Sequence, residues 1–294
     1  MHWRAVPERG TVFGIRLLVA LLRLVGRPAT GALLWVVCWY FVATSATARR
    51  ASRQLGVRLG ERRSVRRIHR HVWTFARVAL DRALFLAGET GALELDLHGH
   101  ELVMSLSQRG RGALLLGAHL GSFEAMRALA GRYSVPMLVV VDFHNAAQVT
   151  AALAALRDGG VRLLNFRPDD PFAVLQVKDA IERGELVAVL GDRATHGARD
   201  VVTPFLGAPA RFPAGPMVLA SVLACPVFFV CALFIAPATY RVYCQPLCER
   251  VELPRVARAA ALEAHVARYA RALEHFTRLA PDNWFNFFPF WGAA

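Results

Sequence analysis

The sequence predicts an α/β fold, a mainly parallel sheet flanked by helices, with a hydrophobic, membrane-associated helical segment at the N-terminus. Three observations carry this. From Gly112 onward, short apolar runs alternate with helix-like stretches, the order that builds a parallel sheet covered by helices. Within those runs the apolar residues are consecutive, as in strands buried on both faces. Ala29 to Ala48 contains no charged residue, and its length of about 20 residues just reaches what a bilayer-spanning helix needs.

Each element has its own signal. Ala113 to Leu116 reads as the first core strand, and Ser122 caps a helix opening at Phe123. Val135 to Val141 is the second strand. Asn145 caps a helix from Ala146 to Arg157, which Gly159-Gly160 ends, and Val161 to Leu164 is the third strand. Asp170-Pro171 places an N-cap and a first-turn proline at the head of a helix that closes at Gly184. Leu186 to Leu190 and Pro226 to Ile235 are the fourth and fifth strands. Between them, Thr203 to Pro216 reads as a long glycine- and proline-rich binding loop, followed by an apolar helix. Tyr240 to Gln245 reads as a late edge strand whose direction stays open. Arg258 to Leu279 is a long helix, and residues 49 to 95 read as two helices. The domain division expected is a membrane-associated segment over 1–48 and a second domain over 49–294.

The chain has 294 residues and a formal charge of +13, carried almost wholly by arginine, since Lys178 is the one lysine. Such a balance calls for an anionic partner. No nucleic-acid reading motif accompanies it, and the apolar N-terminus argues against that partner. Arginines flank the uncharged run on both sides, so the positive-inside rule does not orient it. A spanning helix, a re-entrant hairpin, an in-plane helix and a buried core helix pair all stay open. Trp35, Trp39 and Tyr40 suit a bilayer interface. The aromatic ending Asn283 to Trp291 suits either an interface or a seal over the core. The five cysteines are scattered without metal spacing and read as reduced thiols, mostly buried.

The chemistry-bearing candidate is His119. It follows an apolar strand and precedes a helix, the place where open α/β sheets hold ligands. Glu124 lies five residues on, off the same helix face, and can meet His119 only if the chain turns at Gly121. A carboxylate on one ring nitrogen would leave the other free to take a proton. The alternative for Glu124 is plain stabilisation of a helix N-terminus. Asp192 and Arg193 end the fourth strand on the same rim, and arginine there can bind phosphate bidentately. Arg211 and Gly207 lie in the Thr203–Pro216 segment. His144 reads as a loop histidine.

These residues resemble a family. His119-Leu-Gly-Ser-Phe-Glu124, in the setting Leu-Leu-Gly-Ala-His-Leu-Gly-Ser-Phe-Glu, is similar to the His-x4-Asp/Glu signature of glycerolipid acyltransferases, and most similar to the bacterial lipid A late acyltransferase (lauroyl/myristoyl transferase) branch. Gly191-Asp192-Arg193 falls where that branch carries Asp-Gln or Asp-Arg. Pro204-Phe-Leu-Gly207, Pro213-Ala-Gly215 and Pro226 resemble its later motifs. Glu8-Arg-Gly10, Gly26-Arg27 and the aromatic ending are similar to acyltransferases found with aryl-polyene lipid biosynthesis. The resemblance implies an acyl group moved from an acyl thioester to a hydroxyl of a lipid or glycolipid acceptor. It implies His119 as general base, Glu124 as its carboxylate partner, and Asp192, Arg193, Gly207 and Arg211 around the substrates. It further implies no metal and no cofactor beyond the co-substrate, acyl carrier protein or coenzyme A thioester, and an anionic membrane surface, with the catalytic part on the cytoplasmic face of a bacterial inner membrane. A membrane-attached scaffold without activity is the alternative.

Overall fold

The computed structural model describes residues 12–87, 89–141, 161–165, 171–193 and 199–291. His144, the helix expected over 146–157 and Glu8-Arg-Gly10 lie outside the described residues. In chain order come α1 (Val12–Thr44), α2 (Ala46–Arg58), α3 (Val65–Ala87), β1 (Glu94–His98), α4 (His100–Gln108), β2 (Ala113–Gly117), α5 (Phe123–Arg132) and β3 (Met137–Val141). There follow β4 (Val161–Asn165), α6 (Pro171–Glu182), β5 (Leu186–Leu190), β6 (Asp200–Phe205), β7 (Ala208–Pro213), α7 (Gly215–Leu223), β8 (Val227–Ile235), β9 (Thr239–Cys248) and α8 (Arg258–Leu279).

Seven strands form one sheet in the order β1-β9-β8-β2-β5-β3-β4. β8, β2, β5, β3 and β4 are mutually parallel; β9 runs antiparallel to β8, and β1 parallel to β9. The fold is therefore α/β with a mostly parallel sheet flanked by helices. β2 is buried at all of its residues and β8 at all but its last, as their unbroken apolar sequences require.

Two segments differ from the sequence reading. The Tyr240 strand is not an edge, because β1 pairs beyond it. Glu94-Leu-Asp-Leu-His98 alternates in a half-exposed pattern, so it lacks the apolar run that marks the core strands. The segment read as a Thr203–Pro216 loop is an antiparallel hairpin of β6 and β7. Its turn residues Leu206 and Gly207 both have positive φ, 50° and 75°, as a tight two-residue hairpin turn demands.

α1 bends at Gly26, where φ is 77°, with Pro28 just beyond. Residues Ala20–Thr44 are long and apolar enough to cross a membrane by length and composition. One stripe of this helix is nevertheless packed: Leu22 and Leu34 lie with Leu80 and Leu84 of α3, and Cys38 and Val42 with Ile68 and Val72. Trp39 stacks on His69 at 4.2 Å. Arg27 forks onto the fully buried Asp81, with its Nε at 2.6 Å and a terminal nitrogen at 2.7 Å, and the Tyr240 hydroxyl donates to the same carboxylate at 2.8 Å. The other stripe, Leu24, Leu33, Val36 and Tyr40, is exposed.

Candidate active site

β2 and β5 are adjacent, and their last residues, Gly117 and Leu190, are register partners. His119 and Asp192 each lie two residues further on, at the carboxyl edge of the sheet. The His119 Nδ1 is 2.8 Å from Asp192 Oδ1, and the His119 backbone N–H donates to Asp192 Oδ2 at 3.1 Å. Asp192 is 1% exposed, whereas the His119 side chain is 30% exposed. An ionised aspartate only accepts, so the proton of the neutral ring sits on Nδ1 and Nε2 keeps its lone pair. Burial lowers the histidine's basicity, Asp192 opposes this and Arg193 reinforces it; the net shift is downward from 6.5. Burial alone would raise the Asp192 carboxyl, but His119 and Arg193 together hold it below its ordinary value.

The backbone around the histidine is fixed from three sides. Tyr269 of α8 donates its hydroxyl to the Gly117 carbonyl at 2.8 Å, and the Gly191 N–H donates to the same oxygen at 3.0 Å. The C-terminal tail pairs with the loop after β2: Phe285 N–H donates to His119 O at 2.8 Å, and Gly121 N–H to Asn283 O at 2.9 Å. Ser122 N–H donates to Ala232 O at 2.8 Å. Gly121 adopts φ 74°, and a Cβ there would lie 1.9 Å from the Ala232 carbonyl oxygen, so only glycine fits. The amides of 119, 121 and 122 are engaged in these bonds, so none of those three is free to face an oxyanion.

Sequence reasoning placed a carboxylate on His119 but chose Glu124. Ser122 caps α5 as expected, its hydroxyl accepting from Ala125 N–H at 3.2 Å. Gly121 then turns α5 toward α3, and the buried Glu124 meets Arg82 Nε at 2.7 Å. Glu124 makes no hydrogen bond or ion pair with His119 among the described residues; Asp192 fills that place. Arg193 joins the site. It donates to Phe285 O at 3.3 Å and lies over the Phe288 ring at 5.5 Å. Gly207 sits in the turn between β6 and β7, and Arg211 is exposed on β7, neither bonded to His119 or Asp192.

The tail and one further residue were not singled out as parts of the site. Trp284 is 1% exposed and Trp291 donates to Phe205 O at 3.2 Å, so the aromatic ending seals the core beside the histidine. His71 of α3 is wholly buried, with Nε2 at 3.0 Å from Trp284 O and Nδ1 at 3.0 Å from Ser52 Oγ. Arg67 donates to that hydroxyl at 3.0 Å, so the hydroxyl donates to Nδ1 and Nε2–H donates to Trp284. Nothing in the string Ile68-His-Arg-His71 distinguishes His71 from His69 and Arg70 beside it.

A hydrogen-bonded His–Asp pair at a sheet edge, with an arginine beside it, can withdraw a proton from a hydroxyl and hold an anionic group nearby. No match to the chain is found among the curated proteins. The family described as bacterial lipid A biosynthesis acyltransferase matches residues 2–292, and the chain belongs to that family.

Proposed function

We propose that this protein moves an acyl group from an acyl thioester to a hydroxyl of a lipid or glycolipid acceptor. The observation that carries the reading is the Asp192–His119 pair, from which a ring proton on Nδ1 follows for the neutral imidazole. His119 Nε2 takes the proton of the acceptor hydroxyl as its oxygen attacks the thioester carbonyl. The tetrahedral intermediate collapses, the C–S bond breaks, and the imidazolium returns the proton to the departing sulfur. Asp192 balances the charge that the ring carries between these two steps. Arg193 holds a phosphate of the donor or the acceptor. Acyl carrier protein or coenzyme A is the donor, each acidic enough to suit a chain of charge +13.

The membrane assignment rests on a surface. The outer stripe of α1 exposes Leu24, Leu33, Val36 and Tyr40. Next to it, α2, the turn after it and the start of α3 expose Arg50, Arg53, Arg62, Arg63 and Arg66. An apolar face bordered by arginine suits anionic lipid headgroups, at about 1 kcal/mol per arginine. The cytoplasmic face of an inner membrane is the location that gives access to both thioester and lipid.

The test is transfer itself. Full-length protein in detergent is given acyl thioesters and hydroxyl-bearing lipid acceptors, and products are followed by mass spectrometry, beside lipids of cells with and without the protein. Acylated lipid that disappears with His119→Ala is expected. Equal transfer by His119→Ala would overturn the mechanism and favour a scaffold.

A further inference from the structure

The corner between α2 and α3 has no role in the chemistry above. Arg53 and Gly56 of α2, Glu61, Arg62 and Arg63 of the turn, and Arg67 of α3 are among the residues that line a small hollow there. We propose that this hollow is a binding site for a phosphate group. It is a built site with its own inner donor, beyond the general attraction of an arginine-bordered face for a charged surface, and it does not depend on acyl transfer.

The inner donor is Arg67, which is 6% exposed. Its Nε donates to Glu61, and its Nη1 donates to the Ser52 carbonyl at 2.7 Å and the Ser52 hydroxyl at 3.0 Å. Its Nη2 is buried and has no hydrogen-bond partner among the described residues. A buried, charged donor without an acceptor costs free energy, which an acceptor in the hollow would recover. Gly56 lets the guanidinium lie there, since a Cβ at that position would crowd Arg67 Nε at 3.2 Å.

Charge and size select the occupant. Arg53, Arg62 and Arg63 are exposed on the rim, while Glu61, the one acid in the lining, is already taken up by Arg67. The 23-residue α3 begins at this rim with no acidic residue in its first turn, and the Val65 and Arg66 N–H groups have no acceptor among the described residues. All of this favours an anion. The hollow offers only about 10 Å³ to the centre of an oxygen-sized atom, so one oxygen enters and the rest of the ligand stays outside. A planar carboxylate that inserts one oxygen keeps a single oxygen for the rim. A tetrahedral phosphate keeps up to three, enough to reach several arginines and amides at once. A lipid headgroup and free phosphate both present that chemistry. Arg67 also heads a bonded chain toward His119: Ser52 Oγ meets His71 Nδ1, His71 Nε2 meets Trp284 O, and Phe285, the next residue, bonds the His119 carbonyl. An anion on the third nitrogen of Arg67 braces the head of this chain, so binding is readable as stability.

The experiment uses the full-length protein in detergent, with inorganic phosphate as the probe. At matched ionic strength, phosphate in place of chloride should raise Tm. It should also shield Arg62 and Arg63 from phenylglyoxal while Arg132, exposed on α5, reacts as before, as read by peptide mass spectrometry. The double variant Arg62→Gln/Arg63→Gln, changed only at exposed positions, should bind phosphate at least about tenfold more weakly. Arg67→Lys should lose at least as much, because lysine cannot hold Glu61, Ser52 and an anion together. If Arg67→Lys does not fold, the shielding pattern of the wild-type protein and the rim variant decide. Vesicles of phosphatidylcholine with and without phosphatidylglycerol then separate the sources. Shielding by phosphatidylglycerol that added phosphate competes away assigns the site to a headgroup, and shielding by inorganic phosphate alone assigns it to the free ion. Equal phosphate affinity in the rim variant, no preferential shielding by phosphate, or shielding by vesicles only overturns the proposal, since the arginines would then draw a charged surface without forming a site.

Discussion

Arg82 of α3 and Glu124 of α5 form an ion pair of 2.7 Å in which the carboxylate is buried and the guanidinium is a third exposed. The pair fastens the helix after His119 to the helix below it. Glu124→Gln should therefore cost stability, about 1–3 kcal/mol after allowing for the exposed arginine. Thermal unfolding in detergent reads this. Arg82→Gln should cost a similar amount, and the double variant less than the sum of the two. Additive losses would show that the two residues act independently.

Asp192→Asn should act on the chemistry instead. The amide cannot fix the ring proton on Nδ1 or balance the imidazolium, so kcat should fall by about two to four orders of magnitude, similar to His119→Ala. In the native enzyme the acid limb of kcat/KM should lie below pH 6.5, because burial and Arg193 outweigh Asp192. Removing Asp192 removes the influence that raises the histidine, so residual activity should show an acid limb at still lower pH. Glu124→Gln should leave that limb where it is. A limb that moves with Glu124 and not with Asp192 would reverse the two assignments.

His71 predicts a pH dependence of stability. Burial first, and Arg67 next, hold it at about 3, against 6.5 in an unfolded chain. Between those values the unfolded chain binds a proton that the folded chain refuses, so stability falls as pH falls, by about 1 kcal/mol per unit. His71→Gln keeps a donor for Trp284 O and cannot titrate. Its Tm should decline less steeply with acid, with kcat largely preserved, whereas His71→Ala should lower kcat by loosening the tail that holds His119. Parallel Tm slopes for wild type and His71→Gln would dismiss this role.

Arg193→Ala should raise KM for donor or acceptor, and Arg193→Lys should not restore it, since lysine lacks the planar fork. Arg211, exposed on β7, should be close to silent when replaced by alanine. Steady-state kinetics of the three variants decide it; a larger KM effect at Arg211 would move the anion site to the hairpin.

The buried core strands β2, β3, β5 and β8 were legible because such strands write themselves as unbroken apolar runs, whereas β1, β6 and β7 do not. The place of His119 at the sheet edge was legible because it follows such a run. The histidine's partner was not, because Asp192 is 73 residues away and reaches it only through strand order. β5 inserts between β2 and β3 although β3 and β4 precede it in the chain. No local spacing records that insertion, and the nearby Glu124 offered a shorter answer. The hairpin was hidden by Pro204, Pro209 and Pro213, which sequence patterns assign to loops; an isolated two-stranded ribbon tolerates them at positions that need no donor.

The packing of α1 along α3 has a consequence for dielectric surroundings. Two helices in contact along their length share a medium, and α3 carries Arg66, Arg70, Arg77, Asp81 and Arg82. Moving such a helix into hydrocarbon would strip water from several ions, at a few kcal/mol or more for each. On the membrane attachment proposed above, the Arg27–Asp81 fork and the leucine contacts would keep α1 out of the middle of the bilayer however apolar its outer stripe, and the charged neighbour rather than the hydropathy of α1 would set its depth. Spin labels at Val36 and at Arg70 should report the first immersed to the level of the upper acyl carbons and the second in water, and a label at Val36 found at the bilayer centre would mean that α1 and α3 separate on binding.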